Sequence, residues 1–172
     1  KNWVLKFFWG EEFLKANTYE YPNFDKFNTF PKLLKHRSEI MPDEVALRNK
    51  DLGIWNEITW DEYNKIVSEL SIGLKSIGFK KGDVLALIGD NKPEWVFFEI
   101  ACHANGGMSL GIYRDTLDDE VGYLVKSAKV KFAYAEDQEQ VDKLLNVQKK
   151  LKTKIKVIYD DPRGLEKLKN PN

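Results

Sequence analysis

An alternation of short apolar runs and helical segments occupies residues 84–159 and constrains the fold more than any other feature of the sequence. Residues 84–88 form a continuous apolar run, which is typical of a strand buried on both faces. Because strands that alternate with helices are joined by right-handed crossovers, the pattern predicts an α/β fold with a mainly parallel, Rossmann-like sheet and flanking helices. The predicted strands lie near residues 84–89, 108–112, 130–135 and 155–159.

Helix signals separate these strands. The first helix opens at Asn91 with Pro93, and it is apolar on nearly every side as far as Ala104, which indicates a buried helix. The Gly106-Gly107 pair then ends it. The next helices are predicted to have polar N-terminal caps, formed by Thr116 with Asp119 and by Asp137 with Gln140.

A smaller unit precedes the alternation. Residues 45–50 and 54–59 flank a turn that contains Gly53, which predicts a β-hairpin outside the parallel sheet. Thr59 and Glu62 have the spacing of a capping box, in which each side chain accepts a hydrogen bond from the other residue's backbone amide. Apolar residues then keep a helical period, so we predict a helix directly after the hairpin.

Another helix is predicted before the hairpin. Thr29 is followed by a helical pattern that continues to about Ile40, so we expect Thr29 to cap this helix. His36 and Arg37 are neighbours within it, and we expect both to lie on a solvated face.

The two ends of the chain differ from its middle. Residues 1–28 are rich in aromatic side chains that fall on several faces, which favours an arm packed on the rest of the protein over an amphipathic membrane helix. Lys6 splits the first apolar run, so it does not resemble a signal peptide. We therefore predict an arm at 1–28, an α/β subdomain at 29–160, and a tail cut in mid-protein at 161–172.

Composition excludes several classes of function. The 27 Lys and Arg residues balance the 27 Asp and Glu residues, and a zero net charge argues against nucleic-acid binding. One Cys cannot form an intramolecular disulfide, and with two His it leaves too few ligands for a transition-metal site. A single unpaired Cys fits a reducing compartment, so we expect a cytoplasmic protein whose contact with the inner face of the membrane is at most peripheral.

No phosphate-binding loop is recognisable in the chain. The richest glycine cluster, at 106–111, does not match G-x-G-x-x-G, and it joins a helix to a strand rather than a strand to a helix. Cys102 and His103 are adjacent on a helix and therefore point in different directions, so we expect Cys102 in the core rather than in a catalytic pair.

The order of the motifs over roughly Thr29 to Asp160 resembles the N-terminal region of AMP-forming acyl-CoA synthetases, which belong to the adenylate-forming superfamily. The flanking segments look most like the bacterial long-chain fatty acid branch. The motifs that carry the resemblance are Asp51-Leu52-Gly53-Ile54-Trp55, Thr59-Trp60, Gly73-Leu74, Gly78, Gly82-Asp83-Val84, Gly89-Asp90-Asn91-Lys92-Pro93-Glu94-Trp95, Ala101, Gly106-Gly107, Gly111-Ile112-Tyr113, Glu120-Val121-Gly122-Tyr123 and Ala135-Glu136-Asp137-Gln138-Glu139-Gln140-Val141.

The resemblance implies a parent enzyme that uses ATP, Mg²⁺ and CoA. A fatty acid carboxylate attacks ATP to give an acyl-adenylate and pyrophosphate, and the CoA thiol then displaces AMP. In that family the phosphate loop, of the T-S-G-T-T-G type, and the other nucleotide-binding motifs lie downstream of the region that this chain resembles. We therefore expect no catalytic or metal-binding residue in these 172 residues, no bound cofactor, and no activity of the chain by itself.

The resemblance also implies a CoA-binding role for Tyr113, Arg114 and, less directly, Lys143, because a guanidinium and an ammonium suit a 3′-phosphate. The partners it implies are the fatty acid, CoA and the remainder of the AMP-binding domain. We also expect the isolated chain to associate with itself through uncovered apolar surface on the helix at 92–104 and on the aromatic arm.

Two alternatives stay open. The chain could belong to another acid–thiol ligase of the same superfamily, such as a short-chain or aryl-acid ligase, because the motifs that set acid specificity lie beyond residue 172. It could also be a stand-alone α/β module that binds a partner protein. A reading frame that continues to a T-S-G-T-T-G motif would exclude the second alternative.

Overall fold

The computed structural model of the protein describes residues 22–166, so most of the predicted arm and the end of the predicted tail lie outside the described residues. The helices of the described part are α1 (Phe30–Ile40), α2 (Trp60–Ser76), α3 (Pro93–Ala104), α4 (Asp118–Ser127) and α5 (Gln138–Leu151). The strands are β1 (Val45–Asp51), β2 (Ile54–Thr59), β3 (Val84–Gly89), β4 (Met108–Tyr113), β5 (Phe132–Ala135) and β6 (Lys156–Tyr159).

The predicted parallel sheet is confirmed. Strands β3 to β6 form one four-stranded sheet in the order β4-β3-β5-β6, and every neighbouring pair is parallel. The central strand β3 pairs along its whole length with β4, from Val84 opposite Met108 to Gly89 opposite Tyr113. Its five leading residues are all buried, as the continuous apolar run predicts.

Alternate residues of β3 supply two separate cores on the two faces of the sheet. Leu85 and Leu87 pack with buried side chains of α2 and α3. Ala86 and Ile88 pack on the other face with buried side chains of α4 and α5. Because successive side chains of a strand point to opposite faces, each face of β3 is covered by its own helix layer.

The hairpin and its capping box are also confirmed. Strands β1 and β2 form a separate antiparallel two-stranded sheet. The side-chain oxygen of Thr59 accepts the Glu62 amide at 3.3 Å, and the Glu62 carboxylate accepts the Thr59 amide at 2.8 Å. This reciprocal pair fixes the start of α2 against the end of the hairpin.

The N-terminal caps agree with the sequence only in part. The side chain of Asp137 accepts the Gln140 amide at 3.1 Å, as predicted. The predicted cap at Thr116 is wrong, because Leu117 occupies the N-cap of α4 and makes no side-chain capping bond. The Thr116 amide instead donates to the Tyr113 carbonyl at 3.0 Å, closing a turn one residue before the cap. Thr29 is the N-cap of α1, but its side chain makes no capping bond.

The prediction of a solvated face at His36 and Arg37 is wrong. Arg37 shares the buried face of α1 with Leu34 and Ser38, since residues three and four apart lie on the same side of a helix. The His36 ring stacks on Phe27 with 4.0 Å between ring centroids. Both side chains therefore take part in packing.

Helix α3 does not present the uncovered apolar face that we expected. Each of its large apolar side chains is buried or half-buried, and Cys102 lies fully inside the core. Helices α1 and α2 both contact α3, which covers the face that points away from the sheet.

Candidate functional site

The candidate site lies where the loops after β3 and β5 separate. Strands β3 and β5 are neighbours in the sheet. From β3 the chain continues into α3 on one face, and from β5 it continues into α5 on the opposite face. Such a divergence opens a crevice at the carboxyl ends of the strands, which is where ligands bind in open α/β sheets. The residues that follow β3, β4 and β5 at this edge are rich in charge, and they include Asp90, Lys92, Arg114, Glu136 and Asp137.

Glu136 connects the two loops. It directly follows β5, and its side chain is only 8% exposed. One carboxylate oxygen, Oε2, accepts the backbone amide of Asp90 at 2.5 Å, and the other, Oε1, lies 2.5 Å from Nζ of Lys92. A buried carboxylate with both oxygens paired in this way holds the loop between β3 and α3 to the end of β5.

Arg114 forms a second connection across the crevice. Its Nη1 atom lies 2.5 Å from Oδ2 of Asp90, and its Nη2 atom lies 3.7 Å from Oδ2 of Asp137. Lys143 of α5 donates from Nζ to the Arg114 carbonyl oxygen at 2.5 Å. The loop after β4 is thus joined to the loops after β3 and β5 and to α5.

The charges of this network balance, and the pKa values reflect the pairing. Burial alone would raise the pKa of Glu136, but the contacts with Lys92 and the Asp90 amide hold that pKa below its ordinary value. The hydrogen bond to Glu136 raises the pKa of Lys92, and the bond to Asp90 raises the pKa of Arg114. Glu136, Lys92 and Arg114 are therefore charged near neutral pH.

The three residues for which the resemblance implies CoA binding, Tyr113, Arg114 and Lys143, lie near the same edge of the sheet but differ in their contacts and exposure. Arg114 and Lys143 are brought together, and both are already engaged by protein groups. Tyr113, at the end of β4, is 88% exposed. Sequence reasoning missed the part played by Glu136 and Lys92, although Glu136 directly follows a predicted strand and Lys92 lies in the loop after another, which was a usable signal.

A nucleotide phosphate, or the 3′-phosphate of CoA, would meet cations at this crevice that already have protein partners. The N-terminus of α5 is occupied by the Asp137 carboxylate, which accepts a backbone amide there. Arg114 faces the carboxylates of Asp90 and Asp137, so a phosphate would have to displace one of them. Within residues 22–166 no group of His, Cys, Asp and Glu side chains is arranged to hold a metal ion.

A second polar cluster lies between α3 and β4. Ser109 donates to Oε1 of Glu99 at 3.1 Å, and Nε2 of His103 lies 3.1 Å from the Ser109 hydroxyl oxygen. In a hydrolase triad the imidazole lies between the serine and the acid, which orients it. Here the Ser109 hydroxyl lies between Glu99 and His103, so the arrangement is not that of a triad. Burial raises the pKa of the neighbouring Cys102 thiol to about 11, which excludes a reactive thiolate at neutral pH.

No helix in the described part of the chain combines the length and the apolar character that crossing a bilayer requires.

Comparisons with known proteins identify a matching family and relatives that share part of this sequence. The model of the family described as AMP-binding enzyme matches residues 34–172. The human long-chain-fatty-acid–CoA ligase ACSBG1 is 28% identical over 121 residues, which cover 70% of this chain and 17% of the human protein. The rat long-chain-fatty-acid–CoA ligase ACSBG2 is 25% identical over 138 residues, covering 80% of this chain and 20% of the rat protein. The chain thus spans about a fifth or less of the length of these relatives.

Solved structures share the architecture at lower sequence identity. The luciferase-like enzyme of the nonluminescent mealworm Zophobas morio superposes with a TM-score of 0.72 at 18% identity, covering 83% of this chain and 32% of that chain. The anthranilate CoA ligase AuaEII superposes with a TM-score of 0.68 at 17% identity, covering 76% and 24%. At these identities the superpositions establish the fold.

Proposed function

The chain belongs to the family of AMP-binding enzymes, and we propose that it is the N-terminal part of a ligase that joins a long-chain fatty acid to CoA. The parent reaction consumes fatty acid, ATP and CoA and yields acyl-CoA, AMP and pyrophosphate. The observation that carries the proposal is the family match over residues 34–172, together with relatives named as long-chain-fatty-acid–CoA ligases.

Within this proposal the 172 residues form a scaffold rather than the site of adenylate chemistry. That chemistry requires groups that stabilise charge at the transferring phosphate. At the crevice between β3 and β5, Lys92 and Arg114 are already paired with carboxylates and Lys143 donates to a backbone carbonyl, so we assign no step of the reaction to residues of this chain. Mg²⁺ and ATP would be held by other parts of the parent enzyme.

The CoA-binding role of Tyr113, Arg114 and Lys143 stays a prediction of the resemblance. Arg114 and Lys143 are engaged by protein groups, whereas Tyr113 is exposed. In the parent enzyme we expect Tyr113→Ala to raise the KM for CoA while the KM for ATP stays unchanged. The matched control is Tyr123→Ala, which removes an equally large exposed side chain from α4. If both variants and the parent enzyme have the same KM for CoA, Tyr113 does not contribute to CoA binding.

An acid panel tests the proposed function. Protein expressed from the longest reading frame that contains this chain is assayed for AMP release with palmitate, acetate and benzoate, each with ATP and CoA. Palmitate is expected to give the highest kcat/KM. A preference for acetate or benzoate would assign the chain to another acid–thiol ligase of the same superfamily.

A further inference from the structure

A groove between the turn at residues 22–27 and helix α1 has a volume of about 890 Å³. That volume is enough for a drug-sized ligand, and therefore for more than one aromatic side chain. The lining includes Pro22, Lys26, Phe27, Lys32, Lys35 and Ile40. None of the lining residues belongs to the charged network at the carboxyl ends of the strands, so the groove is a separate candidate site.

The turn that forms one wall of this groove is fixed by its own hydrogen bonds and by a contact with α1. The side-chain oxygen of Asn23 accepts the Asp25 amide at 3.0 Å, and the Asn23 carbonyl accepts the Phe27 amide at 2.9 Å. The Phe27 ring stacks on the His36 ring of α1, with 4.0 Å between the ring centroids. These contacts set the position of Pro22, where the preceding segment of the chain reaches the groove.

Covalent geometry confines the segment before Pro22 to the neighbourhood of the groove. A fully extended chain advances at most about 3.6 Å per residue, so Tyr19 must lie within about 11 Å of Pro22. The same limit holds for Glu20 and Tyr21, whatever path the rest of the arm takes. A second copy of the chain, or a segment joined to its other end, would have to compete with residues that the backbone keeps at high effective concentration beside the groove.

The walls of the groove have the chemistry that suits this segment. Ile40 is 53% exposed and offers an apolar contact for a tyrosine ring. Of the three lysines in the lining, only Lys35 has a carboxylate partner within residues 22–166, namely Glu39 at 3.9 Å. Lys26 and Lys32 can therefore pair with a carboxylate of another segment. The segment before the turn supplies one carboxylate between two tyrosines.

We propose that Tyr19, Glu20 and Tyr21 occupy this groove and dock the N-terminal arm on α1. The tyrosine rings pack against Ile40, and the Glu20 carboxylate pairs with the lysines of the opposite wall. The groove is then an interaction surface for the chain's own arm, and the last residues of the arm belong to the α/β subdomain. The proposal does not depend on the ligase reaction.

A double-mutant cycle on the 172-residue chain distinguishes a packing contact from mere proximity. One change is Tyr19→Ser together with Tyr21→Ser, the other is Ile40→Ser, and urea unfolding measures each change alone and both combined. If the rings pack on Ile40, the combined effect on the equilibrium constant of unfolding should be at least about threefold smaller than the product of the separate effects. The matched control uses Ile72→Ser, at an exposed isoleucine of α2 outside the groove, and there the separate effects should multiply.

Acylation of lysine amines by a small reagent reports on the charged wall of the groove. In the unmodified chain Lys26 and Lys32 should react more slowly than in the variant that carries Tyr19→Ser and Tyr21→Ser, because the docked segment covers them. Lys65, which is exposed on α2, should react equally in both proteins.

Three results would overturn the proposal. The first is an Ile40 cycle in which the separate effects multiply. The second is lysine reactivity that the tyrosine changes leave unaltered. The third is coupling that appears only at high protein concentration, because it would assign the groove to a second copy of the chain.

Discussion

The Oε2 atom of Glu136 accepts a hydrogen bond of 2.5 Å from the backbone amide of Asp90, and this bond joins the residues that directly follow two adjacent parallel strands. The same carboxylate contacts Lys92 through its other oxygen. One buried side chain therefore fixes the geometry of the crevice at the divergence of β3 and β5.

Removal of the Glu136 carboxylate should destabilise the fold. Glu136→Ala leaves the Asp90 amide and the Lys92 ammonium without this acceptor, and because Lys92 is about half exposed we expect a loss of about 1–3 kcal/mol in the free energy of unfolding. Glu136→Gln retains an acceptor for the Asp90 amide and should lose less. Urea unfolding of both variants measures the difference, and equal losses would show that the amide contact contributes nothing.

The free energy of unfolding should fall as the pH is lowered below about 4.5, the ordinary value for the Glu136 carboxyl. The folded-state pKa of Glu136 is lower than the unfolded-state pKa, so its contribution is fully present above the unfolded value and is lost as the pH falls through the folded value. Glu136→Gln should therefore flatten the stability profile in this acid range. A profile identical to that of the parent chain would show that Glu136 does not titrate with unfolding.

Alanine substitution at Gly107 and at Gly122 should change the stability of the fold in opposite directions. A Cβ at Gly107 would lie 2.4 Å from the Phe79 ring and 2.9 Å from the Cys102 sulfur, so Gly107→Ala should destabilise the fold by about 1–3 kcal/mol. A Cβ at Gly122, within α4, meets nothing within 4 Å, and Gly122→Ala should stabilise by about 0.5–1 kcal/mol. Thermal unfolding of both variants provides the comparison, and a destabilised Gly122→Ala would contradict this account of α4.

Gln140 should tolerate an apolar replacement. Its side chain is fully buried, and neither of its polar atoms has a hydrogen-bond partner among residues 22–166. A buried amide without partners opposes folding, so Gln140→Leu should leave the free energy of unfolding unchanged or raise it by about 1–2 kcal/mol. Chemical denaturation measures the effect. A loss of more than about 1 kcal/mol would mean that the amide is satisfied in the folded state.

The strand and helix order was predictable because apolar runs and glycines mark it directly. The clearest failure is the start of β5, predicted at Val130 and observed at Phe132. The Val130 amide donates to the Val125 carbonyl at 3.0 Å, and Lys129 donates to Lys126 at 3.3 Å, so Val130 completes the C-terminal turn of α4. Lys129 has φ +53° in the position where glycine is usual, and the sequence therefore held no stop signal there.

The candidate site was predictable in location but not in its pairing. The carboxyl ends of parallel strands converge at one edge, so the positions of Arg114 and Asp90 follow from topology. The ion pair between them depends on side-chain directions after two separate strands, which no local pattern encodes. The predicted exposure of Arg37 was wrong for a similar reason. A charged residue on a helix is ordinarily exposed, but the tertiary packing of α1 buries Arg37.

The central claim, that this chain is part of an AMP-forming long-chain fatty acid–CoA ligase, is tested most directly by palmitate-dependent AMP formation. Protein from the longest reading frame that contains the chain is compared with the 172-residue chain alone, each with ATP, Mg²⁺, CoA and palmitate. We predict that the longer protein releases AMP and palmitoyl-CoA, whereas the 172-residue chain releases neither. AMP release by the 172-residue chain, or none by the longer protein with palmitate, would contradict the account.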